Sequence, residues 1–261
     1  MDLAHAFSGF VVGMLVGLTG VGGGSLMAPI LILIFGVSPT TAVGTDLWFA
    51  GITKTVGGAI HHAKQCADWQ VVRRLALGSL PASIITLVVL HALNWSQVKQ
   101  GWLPFALGLV LLATAIATIA RPRLHRYILD RQRNGRSAEA VRWQAPLTVA
   151  AGAMLGALVT LTSIGAGALG ATLLVFLYPM RLSTKQIVGT DIVHAVPLTI
   201  VAGIGHLFIG SVDGQLLLNL LVGSIPGIII GSLLVHKISE TFVRVSLAMI
   251  LVFAGARLVV S

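Results

Sequence analysis

Gly20-Val21-Gly22-Gly23-Gly24-Ser25, then Gly44-Thr45-Asp46, then Pro81: this stretch decides the fold, because the chain states it twice. Gly44-Thr45-Asp46 recurs as Gly189-Thr190-Asp191, at an offset of 145 residues. The same offset carries Ala50 to Ala195, Gly58 to Gly203, His61 to His206, Asp68 to Asp213 and Gln70 to Gln215. It also carries Gly78-Ser79 to Gly223-Ser224, Pro81 to Pro226 and His91 to His236. Upstream, Gly22-Gly23-Gly24-Ser25 meets Gly165-Ala166-Gly167-Ala168 at an offset of 143, which requires a two-residue insertion near Tyr178. Chance alignment of apolar stretches would match Leu, Val and Ala, not Asp, His and Pro. The chain is therefore an internal repeat, and its function is expected between the two copies.

The class follows from composition. Of 261 residues, 56% are apolar and 10% charged, against about 25% charged in a soluble domain. Apolar runs near the length of a bilayer span recur throughout, so the chain reads as an all-α polytopic membrane protein with the lipid bilayer as its partner. Alternating ten-residue strands, the mark of an outer-membrane barrel, are absent. The net charge of +9 lies in the loops between spans, where basic residues set orientation rather than bind nucleic acid. The single Cys66 excludes an internal disulfide. The apolar N-terminus lacks a basic leader region and matches residues 145–174 of the repeat, so it reads as mature structure.

In order, the first segment covers about Leu3–Phe35, too long for one plain span. Its glycine cluster at 19–25 predicts a break, which is tolerated at membrane depth only where protein or a water-filled cavity surrounds it. Segments follow at Ala42–Ile60, Leu75–Leu93 and Trp102–Ala120. The second half repeats the plan with an interrupted segment at Pro146–Leu177, then Ile187–Ile209, Leu216–Val235 and Phe242–Val260. Residues 1–120 and 145–261 thus form two membrane repeats of about four segments each, joined by a basic cytoplasmic linker at 121–144. If every segment spans simply, the halves are parallel, with eleven Lys or Arg inside against five outside. If segments 1 and 5 enter and return to the same side, fourteen lie inside and only Lys99 and Arg257 outside. The positive-inside rule favours the second arrangement, an inverted repeat with re-entrant first and fifth segments.

Inverted repeats whose broken elements meet near the midplane are a common plan of secondary transporters. A helix that starts inside the membrane offers bare N–H groups and a positive dipole end, and glycines let an anion approach that backbone. Gly22, Gly23, Gly24 and Ser25, with Ser163, Gly165 and Gly167, fit that role; close helix packing by small residues is the alternative. Thr45-Asp46 and Thr190-Asp191 are candidates to line the same site or to N-cap their spans. Lys54 lies eight residues into its segment, roughly 12 Å along a helix. At that depth it needs a carboxylate, a carbonyl or an anionic ligand. His61 and His206, beside Asp68 and Asp213, are candidates for a proton relay or for boundary histidines held by water or a carbonyl. Trp48, Trp69, Trp95, Trp102 and Trp143 are expected as interfacial anchors. No His-Glu-x-x-His, phosphate-loop, dinucleotide or nucleophile-elbow pattern occurs in a fitting context, so neither an enzyme, a cofactor nor a metal is expected.

Gly-Val-Gly-Gly-Gly-Ser with Pro29 downstream, Val-Gly-Thr-Asp at 43–46, Thr53-Lys54, Gly57, His61 and Asp68-Trp69 together resemble the TauE/SafE family of sulfite and organosulfonate exporters. The likeness covers nearly the full length. It implies an inner-membrane permease for a small sulfur-containing anion, with coupling to the proton gradient as an option. The second copy departs from the glycine-rich form at Ala166 and has Thr172 in place of the proline. A passive anion channel and a membrane subunit of a larger complex are the competing readings.

Overall fold

The structure, a computed structural model, describes residues 2–19, 26–60, 66–93, 102–133, 137–234 and 239–260. Gly22, Gly23, Gly24, Ser25, His61 and Trp95 lie outside the described residues. The described elements are α1 (Leu3–Thr19), α2 (Met27–Leu33), α3 (Pro39–Ile60), α4 (Trp69–Ala92) and α5 (Trp102–Arg133). The second half supplies α6 (Ser137–Thr162), α7 (Ala168–Leu177), α8 (Thr184–Phe208), α9 (Gly214–Leu234) and α10 (Glu240–Val260). Six of them, α4, α5, α6, α8, α9 and α10, contain stretches long and apolar enough to cross a bilayer. At 22 residues α3 is also long enough, roughly 33 Å. Helices α5 and α6 run on into the basic linker.

The helix starts follow local chemistry. Asp68, ahead of α4, accepts from the amides of Gln70 (3.1 Å) and Val71 (3.2 Å). Its repeat mate Asp213, ahead of α9, accepts from Leu216 N at 2.9 Å. Ser183 and Gln186 form a capping box at α8. The caps are therefore Asp68 and Asp213, not Asp46 and Asp191, which lie eight residues into α3 and α8. Both of those helices begin earlier than hydropathy indicates, because Pro39 and the Ser183 cap set the first turn ahead of the apolar run.

Helix directions follow from which residues touch. On α1, Gly9, Gly13 and Gly17 lie against Leu220, Ser224 and Ile228 of α9, so these two run parallel. Gly152 and Gly156 of α6 lie against Leu75 and Ser79 of α4, again parallel. Helix α3 runs with α9, through Thr45 to Asp213 and Gly57 to Ile228. Helix α8 runs with α4, through Thr190 to Asp68, His194 to Ser79 and Gly205 to Leu87. Helices α3 and α8 are antiparallel: Gly44 meets Ser211, Trp48 donates to the Gly203 carbonyl at 2.9 Å, and Gly51 meets Thr199. Helices α5 and α10 are antiparallel as well, Gly108 facing Val259 while Leu112 faces Gly255. The contacts thus set α3 against α8 and α5 against α10 in opposite directions and, through the parallel seams, α1 against α6 and α4 against α9. Since α6 and α8 share one direction, the chain returns between them through the break and α7.

The α1–α9 seam is held by backbone proximity. A Cβ at Gly9, Gly13, Gly17, Gly223, Gly227 or Gly231 would strike main-chain atoms of the facing helix. With lipid on the outside, such close van der Waals packing replaces the hydrophobic drive available in water. One apolar core, including Val12, Leu31, Phe49, Leu107, Leu198 and Leu220, joins both halves.

Candidate functional site

The described break lies between α6 and α7. Ser163 follows α6 with φ of 58°, and Gly165 (φ 117°) and Gly167 (φ 146°) also lie in the region that disfavours side chains. Thr162 Oγ1 accepts the Ile164 amide at 3.2 Å, closing the end of α6. The turn is buried: Ser163 is 3% exposed and Ala166 8%. It leaves the Ala166 carbonyl outside any helical ladder, and the Lys54 ammonium donates to it. Lys54 crosses from α3 to reach that atom, from a residue 112 positions away in the chain.

Lys54 is 2% exposed, Asp46 fully buried and Asp191 1% exposed. Both carboxylates lie in the electrostatic field of the ammonium, although neither forms a direct salt bridge with it. Asp46 faces the Ser163 hydroxyl and the Ala28 amide of α2. Neither contact reaches full hydrogen-bond geometry: both Asp46 oxygens and Ser163 Oγ are buried without a hydrogen-bond partner. Asp191 occupies the matching place beside α7, its Oδ1 where a side chain on Gly170 would have to go, and its Oδ2 has no partner. Arg121 adds a further positive field at Asp191. The structure therefore brings Asp46, Lys54, Ser163, Ala166, Gly170 and Asp191 together, with two carboxylates against one ammonium.

Other predicted residues do different work. Thr45 Oγ1 accepts the Asp213 amide at 3.1 Å, and Thr190 Oγ1 accepts the Asp68 amide at 2.9 Å. These two mirrored bonds tie each half's Gly-Thr-Asp helix to the cap of the other half's following helix. Gly165 and Gly167 shape the turn. His206 has both ring nitrogens engaged, Nε2 with the Thr160 carbonyl and Nδ1 with Ser211 Oγ, each at 2.9 Å. A carbonyl only accepts, so Nε2 carries the proton. Trp48 is half-buried within α3 and bonded to α8, so it is not an interfacial anchor. Its indole fits there because Gly203 has no side chain. Trp69, Trp102 and Trp143 are exposed at or near helix starts.

Sequence reasoning missed the pair His194–Ser79, joined at 2.8 Å within the field of Lys54. The signal available was an unrepeated histidine three residues after Asp191. It also missed a cluster at the Asp68 end. There Arg181 pairs with Asp68 (2.8 Å) and donates to Gln70 (2.7 Å). Tyr178 bonds Thr148 (2.7 Å) and receives Arg74 (3.1 Å).

Residues 5–258 match the profile of the family described as Sulfite exporter TauE/SafE. The chain is 40% identical over 267 residues to the Probable membrane transporter protein YjnA of Bacillus subtilis (strain 168), covering 99% of this chain and 100% of that one. It is 27% identical over 224 residues to the Probable membrane transporter protein YdhB of the same organism, covering 82% of each. A third Bacillus subtilis protein, the Probable membrane transporter protein YunE, is 37% identical over 70 residues, 27% of this chain. No solved structure matches.

Proposed function

The chain belongs to the TauE/SafE sulfite exporter family of membrane transporters, and from that premise we propose that it is a secondary transporter of a small sulfur-containing anion such as sulfite or an organosulfonate. The direction proposed is export from the cytoplasm across the inner membrane. Two membrane repeats, 1–120 and 145–261, inverted relative to one another and joined by a cytoplasmic linker at 121–144, would rock about a site between them.

One observation carries this reading. The non-helical turn at 163–167 lies buried in the protein interior and opposite a buried cation, Lys54. Irregular backbone at membrane depth is tolerated only where protein buries it or where it lines a water-filled cavity, and an ionisable side chain such as Lys54 inside a span is read as part of a functional site. A sulfite or sulfonate group entering between Lys54 and the start of α7 would take over the ammonium now held by the Ala166 carbonyl. It would also meet the amides that open α7 and the unpartnered Ser163 hydroxyl. Gly165 and Gly167 keep that approach free of side chains. By its repeat position the glycine run at 22–24 with Ser25 is proposed as a second contact for the anion, while Thr45 and Thr190 tie α3 and α8 to the caps of α9 and α4.

The test is uptake and efflux by the purified protein in proteoliposomes, using sulfite, sulfoacetate, methanesulfonate, thiosulfate and sulfate. Saturable flux of one or more sulfur anions, with counterflow, is the expected result. Flux that never saturates would indicate a channel. No flux of any anion in the panel would overturn the reading.

A further inference from the structure

The site that holds Lys54 has one carboxylate too many for a simple ion pair. Lys54 can balance one of Asp46 and Asp191. The other carboxylate is left without a paired cation in a buried, low-dielectric place, which is strongly unfavourable unless it takes up a proton; the further cation whose field reaches the pair, Arg121, acts on Asp191, so the deficit falls on Asp46. Geometry distinguishes the two. Asp191 sits beside the opening turn of α7, where amide dipoles favour a carboxylate, and within the field of both Lys54 and Arg121. Asp46 has both oxygens buried and unpartnered, and the hydroxyl it faces, on Ser163, is unpartnered too.

Among the described residues the surroundings supply no second cation for Asp46. Along α3 the ionisable neighbour is Lys54, and from α8 come Asp191 and His194, the latter bonded to Ser79. Helices α2 and α9, and α6 from Trp143 onward, carry no ionisable side chain. Helix α1 has His5 alone, stacked on Phe35. An anion placed beside Lys54 would meet two carboxylates if Asp46 were charged. It meets a balanced Lys54–Asp191 pair and a hydroxyl-bearing neutral acid if Asp46 is protonated.

From this arrangement we infer that Asp46 is the proton-binding site of the transporter, and that a proton on Asp46 and the anion beside Lys54 bind together and cross together. This rests on the anion-transport reading above and names the group that couples it. The proton comes from water on the side where the site is open and returns to water on the other side; net flow follows the sum of the anion and proton gradients, so export in this mode is driven by the anion's own cytoplasmic excess and an acidic exterior opposes it. Because binding free energies couple reciprocally, the proton must tighten the anion by the same factor as the anion tightens the proton.

The experiment uses methanesulfonate or thiosulfate, neither of which takes up a proton near neutral pH. Wild-type protein in detergent should bind the anion more tightly as pH falls, with a dissociation constant changing by up to about tenfold per pH unit on the alkaline side. On that same alkaline side, where the anion-free protein has given up the Asp46 proton, adding the anion to weakly buffered protein should draw about one proton per anion bound, read with a pH dye. Asp46→Asn, a fixed neutral analogue of the protonated acid, should bind at the wild-type acid-side affinity with no pH slope. In proteoliposomes it should keep counterflow and lose accumulation driven by a pH gradient. A wild-type protein that binds the anion at every pH without proton uptake overturns the inference, whatever the variant does. So does an Asp46→Asn protein that keeps the pH slope or the gradient-driven accumulation. Absence of wild-type binding to every anion of the transport panel refutes the anion reading instead.

Discussion

Gly13→Ala at the α1–α9 seam offers a test of the packing whose size can be worked from the coordinates. A Cβ on Gly13 would lie 2.7 Å from the Ser224 Cα and 2.9 Å from its carbonyl carbon, and would collide with the carbonyl oxygen. Carbon atoms in contact prefer about 3.5–4.0 Å, so the helices must separate by roughly 1 Å. All the blocking atoms are backbone, so no rotamer change can make room. Neighbouring contacts at Gly9, Gly17, Gly223, Gly227 and Gly231 would loosen with it. Overpacking costs about 1–3 kcal/mol, and a main-chain clash lies at the upper end. Alanine's better helix propensity returns up to about 1 kcal/mol. The net loss is therefore about 2 kcal/mol. Gly57→Ala on α3 is the internal control, since a Cβ there meets Ile228 Cγ2 at 3.8 Å and Val16 Cγ1 at 4.0 Å, ordinary contacts. That variant should be neutral or more stable by up to about 1 kcal/mol. The two should differ by about 2–3 kcal/mol, or about one and a half to two decades in the folded-to-unfolded ratio. The assay is denaturant unfolding in mixed micelles, followed by the fraction of protein that remains monodisperse. Equal stability of the two variants would refute the close parallel packing of α1 and α9.

Lys54→Ala, in protein that inserts and purifies normally, should weaken binding of the transported anion by tenfold or more, the loss of one charge-assisted hydrogen bond of about 1.5–3 kcal/mol; unchanged affinity in equilibrium binding would reduce Lys54 to a structural role. Single cysteines placed at 181–185 should be labelled by a membrane-impermeant thiol reagent only from the cytoplasm, and those at 208–213 only from the periplasm. Periplasmic labelling of 181–185 would defeat the inverted arrangement.

Much of the fold was legible because membranes impose simple rules. Span lengths follow from bilayer thickness, so segment existence could be read from apolar runs. Boundaries were less visible: Pro39 and Ser183 start α3 and α8 ahead of the apolar run, which moved Asp46 and Asp191 from helix ends into helix interiors. The site was half legible. Buried charge in hydrocarbon must serve a purpose, which singled out Lys54, Asp46 and Asp191. Their partners were not visible, because the Ala166 carbonyl is a backbone atom with no side-chain signature. His206 looked like a relay from its sequence position, and the Thr160 carbonyl that fixes its tautomer lies on another helix.

The sequence by itself determined that the protein is helical and membrane-embedded, that its halves repeat, and that glycines interrupt the segment at 163–167. These are properties of composition and one-dimensional spacing. Only the tertiary structure decided the direction of each helix and the register at which it meets its neighbours. That register places Lys54 against Ala166 and leaves Asp46 without a donor. It does so because contacts between helices depend on which glycines let two backbones approach, and no spacing along one chain encodes that.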